Sequence, residues 1–327
     1  MGRIALIALA FAVALGATGC GGGHDEAPPP PDGAFAAALA SIGGGGLNGS
    51  LGVGWADSAR ARAIGGPRLV GDALGPNADT VIEAAPDLER LYGLNPLAAG
   101  RLVSVGGSYA FGLRLDGLEA RGLRRALLAA GGRTRSAGNA EFMDVGGYAS
   151  VPEPLLRADV NGLGARDAFA DGLSVLAISD TARAALLGRG GRLVDQPVYA
   201  TAADCLGDVA AVRMVPAKLL LSIELGAQAI AIGVGPDREV LCVLGVDDDR
   251  VGEIAASLRA ALGPDARDPR SGERVADSVA AAEVTTGEER GVRFVRAELR
   301  PVPGGDPDFL FGALSRGSLG DALSAGR

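Results

Sequence analysis

Histidine is almost absent from this chain. Of 327 residues only His24 is one, and it lies in the run HDEAPPPPD, a solvated linker. The remainder therefore contains no Ser-His-Asp or Cys-His machinery and no histidine-ligated zinc or iron. Lysine is equally scarce. Lys218 stands alone and no S-x-x-K precedes it, so a Ser-Lys nucleophile has no basis. The glycine-rich stretches Gly43 to Gly46, Gly65-Gly66 and Gly188 to Gly191 are never followed by Lys-Ser/Thr, which excludes a P-loop. Gly106 to Ala110 (GGSYA) lacks the last glycine of a nucleophile elbow, leaving Ser108 as a turn residue. Aromatic residues make up only 4%. Trp55, Tyr92, Tyr109, Phe111 and Tyr148 are needed for a core before they can line a pocket. The net charge of −8 disfavours nucleic acid as a partner. Charges interrupt every apolar run after the first, so no later stretch reaches the ~20 residues of a membrane span.

The N-terminus is better defined. Arg3 is followed by the uncharged apolar run Ile4 to Ala14, and then by Ala17-Thr18-Gly19-Cys20. This is a signal-peptide pattern, and its end resembles the lipobox of bacterial lipoproteins. The resemblance implies removal of residues 1–19 and acylation of Cys20, palmitate included. It also implies residence on the extracytoplasmic face of the cell membrane. The alternative is plain secretion after cleavage at Gly19. Residues 20–33 then form a tether, because their prolines favour extended backbone.

Three cysteines are an odd number for an oxidising compartment. With Cys20 acylated, Cys205 and Cys242 remain, either as a disulfide or as two buried thiols. Cys205 shares a helical stripe with Val198 and Ala202. Cys242 shares a strand face with Val240 and Leu244. Packing that helix on that strand would let the sulfurs meet.

Hydrophobic residues, 48% of the chain, support a packed body at the size where one core gives way to two. Two stretches share a layout. Val103 to Leu115 reads as a hairpin, followed by a helix to about Ala130. Ile230 to Val246 reads as a hairpin turning at Pro236-Asp237, followed by a helix opened by Asp247 to Asp249 and stopped at Gly263-Pro264. The stripes Leu123, Leu127, Ala130 and Val251, Ile254, Ala255, Leu258, Leu262 face the helices inward. Upstream, Phe35, Leu39, Ile42 and Tyr199, Ala203, Leu206 mark short helices before the strands Leu51 to Trp55 and Val209 to Val215. Phe142 to Ala149, Leu173 to Ile178 and Val292 to Leu299 read as further strands, and Asp180 to Leu187 as a helix. The expectation is an α+β protein of two related lobes, 34–192 and 193–327. Each would be an antiparallel sheet with helices packed on one face.

The strings GLNPLAAGRLVSVGG, LDGLEARGLRRALLAAGG and DGLSVLAISDTARAALLG resemble uncharacterised lipid-anchored lipoproteins of high-GC Gram-positive bacteria. The resemblance covers most of residues 34–300 and implies no catalytic residues.

Candidate chemistry is thin. Asp247-Asp248-Asp249 reads as a helix cap more readily than as a calcium ligand set. Glu141 with Asp144, and Glu288 with Glu289, are the only carboxylate pairs available for acid-base work. The expectation is a non-enzymatic, membrane-anchored lipoprotein with a structural or binding role, using no cofactor and no metal. The alternatives are a solute-binding lipoprotein of a transporter and, third, a carboxylate-dependent hydrolase.

Overall fold

The computed structural model describes residues 31–44, 52–106, 111–129, 131–137, 140–144, 166–170, 172–220, 226–305 and 307–324. Their strands form one antiparallel sheet of twelve. In chain order these are β1 Gly52–Asp57, β2 Arg101–Gly106, β3 Gly112–Asp116, β4 Arg133–Ala137, β5 Ala140–Asp144 and β6 Arg166–Ala170, then β7 Leu173–Ala177, β8 Ala211–Pro216, β9 Ala229–Val234, β10 Glu239–Leu244, β11 Val279–Glu289 and β12 Val292–Pro301. Across the sheet the order is β11-β12-β10-β9-β8-β1-β2-β3-β7-β6-β5-β4.

The helices lie on both faces. One face carries α1 Ala34–Ser41, α6 Asp180–Leu186 and α7 Pro197–Leu206, which pack on Val53, Trp55, Val103, Val240 and Cys242. The other carries α2 Ser58–Leu74, α3 Pro76–Glu83, α4 Ala85–Tyr92, α5 Arg121–Ala129, α9 Val251–Ala261, α10 Phe309–Arg316 and α11 Ser318–Ser324, with the short α8 Ala217–Leu220 between β8 and β9. Leu102, Leu113, Ile230, Leu241 and Val295 point to this second layer.

This corrects the expectation of two sheets, each covered on one face. β9 and β10 are buried at every position, so both their faces need apolar cover. The halves are joined because β1 and β8 pair antiparallel, Val53 opposite Met214 and Ala56 opposite Ala211. That pairing leaves neither half with an open inner edge.

The hairpin and helix positions agree closely with the apolar pattern. Leu123, Leu127, Ile254 and Leu258 are all buried. The strand expected from Phe142 is β5, which begins at Ala140; residues 145–149, Leu51 and Ala130 lie outside the described residues. α2 kinks at Gly65–Gly66, where Gly66 takes φ 69° and Pro67 restarts the helix. Its second half presses on β1 so closely that a Cβ on Gly54 would lie 2.6 Å from the Ala73 carbonyl oxygen.

Candidate functional site

Of the residues singled out in the sequence, Cys205 meets Cys242, and Asp247, Asp248 and Glu288 line one open pocket of about 480 Å³ with Arg293; the others stand apart. Cys20, His24, Ser108, Tyr109 and Tyr148 lie outside the described residues. Cys205 on α7 and Cys242 on β10 are joined by a disulfide, with Cα atoms 6.5 Å apart. α7 lies across β9, β10 and β12, and Arg296 of β12 donates from Nε to the Cys205 carbonyl at 2.9 Å.

Strand geometry separates each carboxylate pair. Side chains alternate faces along a strand, so Glu141 and Asp144, three apart, leave β5 on opposite faces. Glu141 accepts from Arg124 of α5 at 2.8 Å, and Asp144 accepts from Arg183 of α6 at 2.8 Å. Glu288 and Glu289, adjacent on β11, are split in the same way, and Glu288 accepts from Arg293 at 3.1 Å. The acidic run Asp247–Asp249 sits in the turn before α9 rather than on its cap. Arg250 is the cap residue, with no side-chain capping bond, and Asp248 pairs with Arg293 instead. The aromatic set is divided as well, since Trp55 faces one helical layer while Phe111 and Tyr92 face the other. Among the described residues no group of three metal-ligating side chains occurs, and no helix is long and apolar enough to cross a membrane.

Four features were not legible in the sequence. The first is Asp268, a buried carboxylate with four donors. Its Oδ1 accepts from Arg270 N (2.8 Å), Ser271 N (2.9 Å) and Ser318 Oγ (2.8 Å), and its Oδ2 from Arg316 (3.0 Å). Burial alone would raise its pKa, but the hydrogen bonds from Ser271, Ser318, Arg270 and Arg316 outweigh it and hold the carboxyl far below the usual range. The sign follows: a depressed folded pKa contributes stability above the unfolded value near ~3.9, and that stability is lost as pH falls below it. Asp268→Asn should therefore cost about 2 kcal/mol at pH 7. It should also flatten the loss of stability between about pH 4 and pH 2, measured by urea unfolding at each pH. An unchanged acid limb would refute this assignment.

The second is a guanidinium cage on Phe142. The guanidinium carbons of Arg189, Arg183 and Arg135 stand 4.8, 5.0 and 5.4 Å from the ring centre. Arg183, 3% exposed, also donates to Asp144, to the Asp167 carbonyl and to Asp180. Its partners make it a structural clamp between α6 and β5.

The third is Glu239, buried on β10, which caps α10 from outside the helix. Its two carboxylate oxygens accept from Phe309 N at 3.1 Å and Leu310 N at 2.7 Å. A carboxylate at the positive end of a helix stabilises it.

The fourth is a groove of about 800 Å³ between α1, the 3-10 turn Leu193–Asp195 and α7. Ala36, Ala37, Ala40, Val194, Pro197 and Ala200 make it largely apolar, and Arg192 and Arg290 stand at its rim. Both bases are paired, Arg192 with Asp195 at 2.7 Å and Arg290 with Asp204 at 3.1 Å.

One carboxylate has its pKa pushed up. Burial raises Asp79, and Glu83 and Asp72 nearby add to the rise. Its Oδ1 lies so near Gly71 that a Cβ there would sit 2.1 Å away, which leaves no room for a substrate on that side. Burial likewise lowers the pKa of Arg213 on β8, which faces Asp72 and Asp79 across the junction of the two halves. Comparisons with family models, with curated proteins and with solved structures find no match to this chain.

Proposed function

We propose that the chain is a non-enzymatic lipoprotein held on the extracytoplasmic face of the membrane by acyl chains on Cys20. In this reading it uses no cofactor, and its body has a structural or binding role. The observation that carries the compartment is the Cys205–Cys242 disulfide. Such bonds persist where the surroundings are oxidising, as they are beyond the membrane that a signal peptide crosses. The non-enzymatic reading rests on strand geometry, which sends Glu141 and Asp144, and likewise Glu288 and Glu289, to opposite faces of their strands.

The body reads as a duplication of one unit. Each half runs helix, strand, helix, hairpin, helix and hairpin in the same chain order. α1 and α7 share one face, and α5 and α9 share the other. The central β1–β8 pair is antiparallel, as a two-fold axis through the sheet would make it. The first half then carries one extra hairpin between β4 and β7.

Solute binding is the second reading. It is favoured by the groove, because α1 belongs to the first half and α7 to the second, and ligands favour such junctions.

Cys20→Ala tests the anchor. Two acyl chains bury many methylenes at ~0.8 kcal/mol each, and nothing else in the sequence would hold the chain as firmly. The variant should move from the membrane fraction to the soluble fraction or accumulate unprocessed, and it should lose metabolic labelling by a palmitate analogue. A variant that is processed normally and stays membrane-bound would show the assignment to be wrong.

A further inference from the structure

The sheet ends in two unlike edges. β4 is five residues long and exposes Arg133 and Arg135. β11 is eleven residues long, and beyond its first residue no side chain is buried. It pairs with β12 along its whole length, with one irregularity between Val279 and Ala281. No described strand pairs with its outer side.

A strand of this length at an edge offers a row of amide donors and carbonyl acceptors to another chain. Two usual guards, proline and lysine, are absent from β11 (VAAAEVTTGEE). One partial guard exists: Arg259 of α9 donates to the Val284 carbonyl at 3.1 Å. α9 covers only one face of the strand. On the other face lie Ala281, Glu283, Thr285, Gly287 and Glu289, in register with the β12 residues Arg300, Glu298, Arg296, Phe294 and Val292.

The charge of the edge selects the occupant. β11 carries Glu283, Glu288 and Glu289 and no base. Glu288 is engaged by Arg293. Glu283 and Glu289 share one face of the strand and have no ion-pair partner among the described residues. In an added strand the directly opposite side chains come within ~5 Å, where opposite charges stabilise and like charges repel. Two β11 edges paired antiparallel about Thr286 would set Glu283 against Glu289, which disfavours a second copy in that register.

We infer that β11 is a docking edge for an extended basic segment of another polypeptide, added as a thirteenth strand. Backbone bonds supply the register-independent part of the affinity. Glu283 and Glu289 select two bases six residues apart, which an extended segment presents on one face. Between those charges stand Thr285 and Gly287, the latter covered by the ring of Phe294 opposite it. The inference rests on the binding role proposed above but not on the lipid, so it is tested on the soluble Cys20→Ala chain. Failure of the anchor and failure of the edge are thereby read separately.

The probe is a fluorescent heptapeptide of alternating Arg and Val, followed by anisotropy. Binding should saturate and should weaken at least tenfold in the Glu283→Lys/Glu289→Lys chain, whose thermal midpoint should not move because both positions are exposed. Two N-methylated peptides of unchanged charge separate backbone pairing from simple attraction. Methylating one alternate set of amides should abolish binding, and methylating the other set should leave it intact. Equal binding of both methylated forms, or equal binding of a Glu-Val peptide, would overturn the inference. So would a β11-mediated dimer in sedimentation that the Arg-Val peptide does not dissociate, because the edge would then belong to a second copy.

Discussion

A Leu258→Asp chain should unfold at a much lower urea concentration than the parent, with a loss of roughly 4 kcal/mol. Leu258 is 1% exposed on α9. Its neighbours include Val275, Leu310 and Leu319, contributed by the turn before β11 and by α10 and α11. A carboxylate there would be placed among apolar side chains and near the buried charge of Asp268, which lines the same small void. Trp55, the single tryptophan and fully buried, reports unfolding by its emission without any label. The neighbouring residue is the control. Arg259 makes one exposed hydrogen bond to the β11 edge, so Arg259→Ala should shift stability by no more than about 0.5 kcal/mol. If the two variants unfold at the same urea concentration, α9 does not pack through the Leu258 face.

The Cys205→Ala/Cys242→Ala chain should lose a similar amount. The bond closes a separation of 37 residues, and on the chain-entropy model a loop of that size contributes about 4 kcal/mol by restricting the unfolded chain. The bond also ties α7 to β10, so its loss is felt in the layer that covers Trp55. Alanine keeps both positions apolar, which suits sites that are 6% and 0% exposed. The reduced parent should unfold at the same midpoint as the double variant, and the oxidised parent well above both. Coincident midpoints for all three, or two alkylatable thiols in unreduced protein, would contradict a bonded pair.

These experiments address the parts of the molecule in which apolar pattern and tertiary packing agree. The helices at Leu123, Leu127 and at Ile254, Leu258 were legible because one apolar stripe every 3.6 residues has a single use, burial against a sheet. The hairpin β9–β10 was legible from its Pro236-Asp237 turn, which lies between strand ends at Val234 and Glu239. The helices of Ser58–Tyr92 were not. Gly65, Gly66, Pro67 and Pro76 break the period there, and the segment is held by contact with β1 and β8 rather than by its own propensity. β11 was also hidden, because an edge strand exposed on most of its length carries no apolar alternation to read.

Sequence alone determined the class of the body, α+β with hairpins followed by helices, since periods of two and 3.6 are set by backbone geometry. It also excluded histidine chemistry and phosphate loops, because those need residue types this chain does not place together. Only the tertiary structure decided that one sheet runs through both halves, since strand pairing between β1 and β8 spans more than 150 residues and leaves no local mark. The same holds for the charges. Whether Glu141 and Asp144 could work together depended on which face of β5 each left by, and whether Asp268 stays ionised depended on donors from Ser318 and Arg316, which lie far along the chain and reach it only after α10 and α11 have packed.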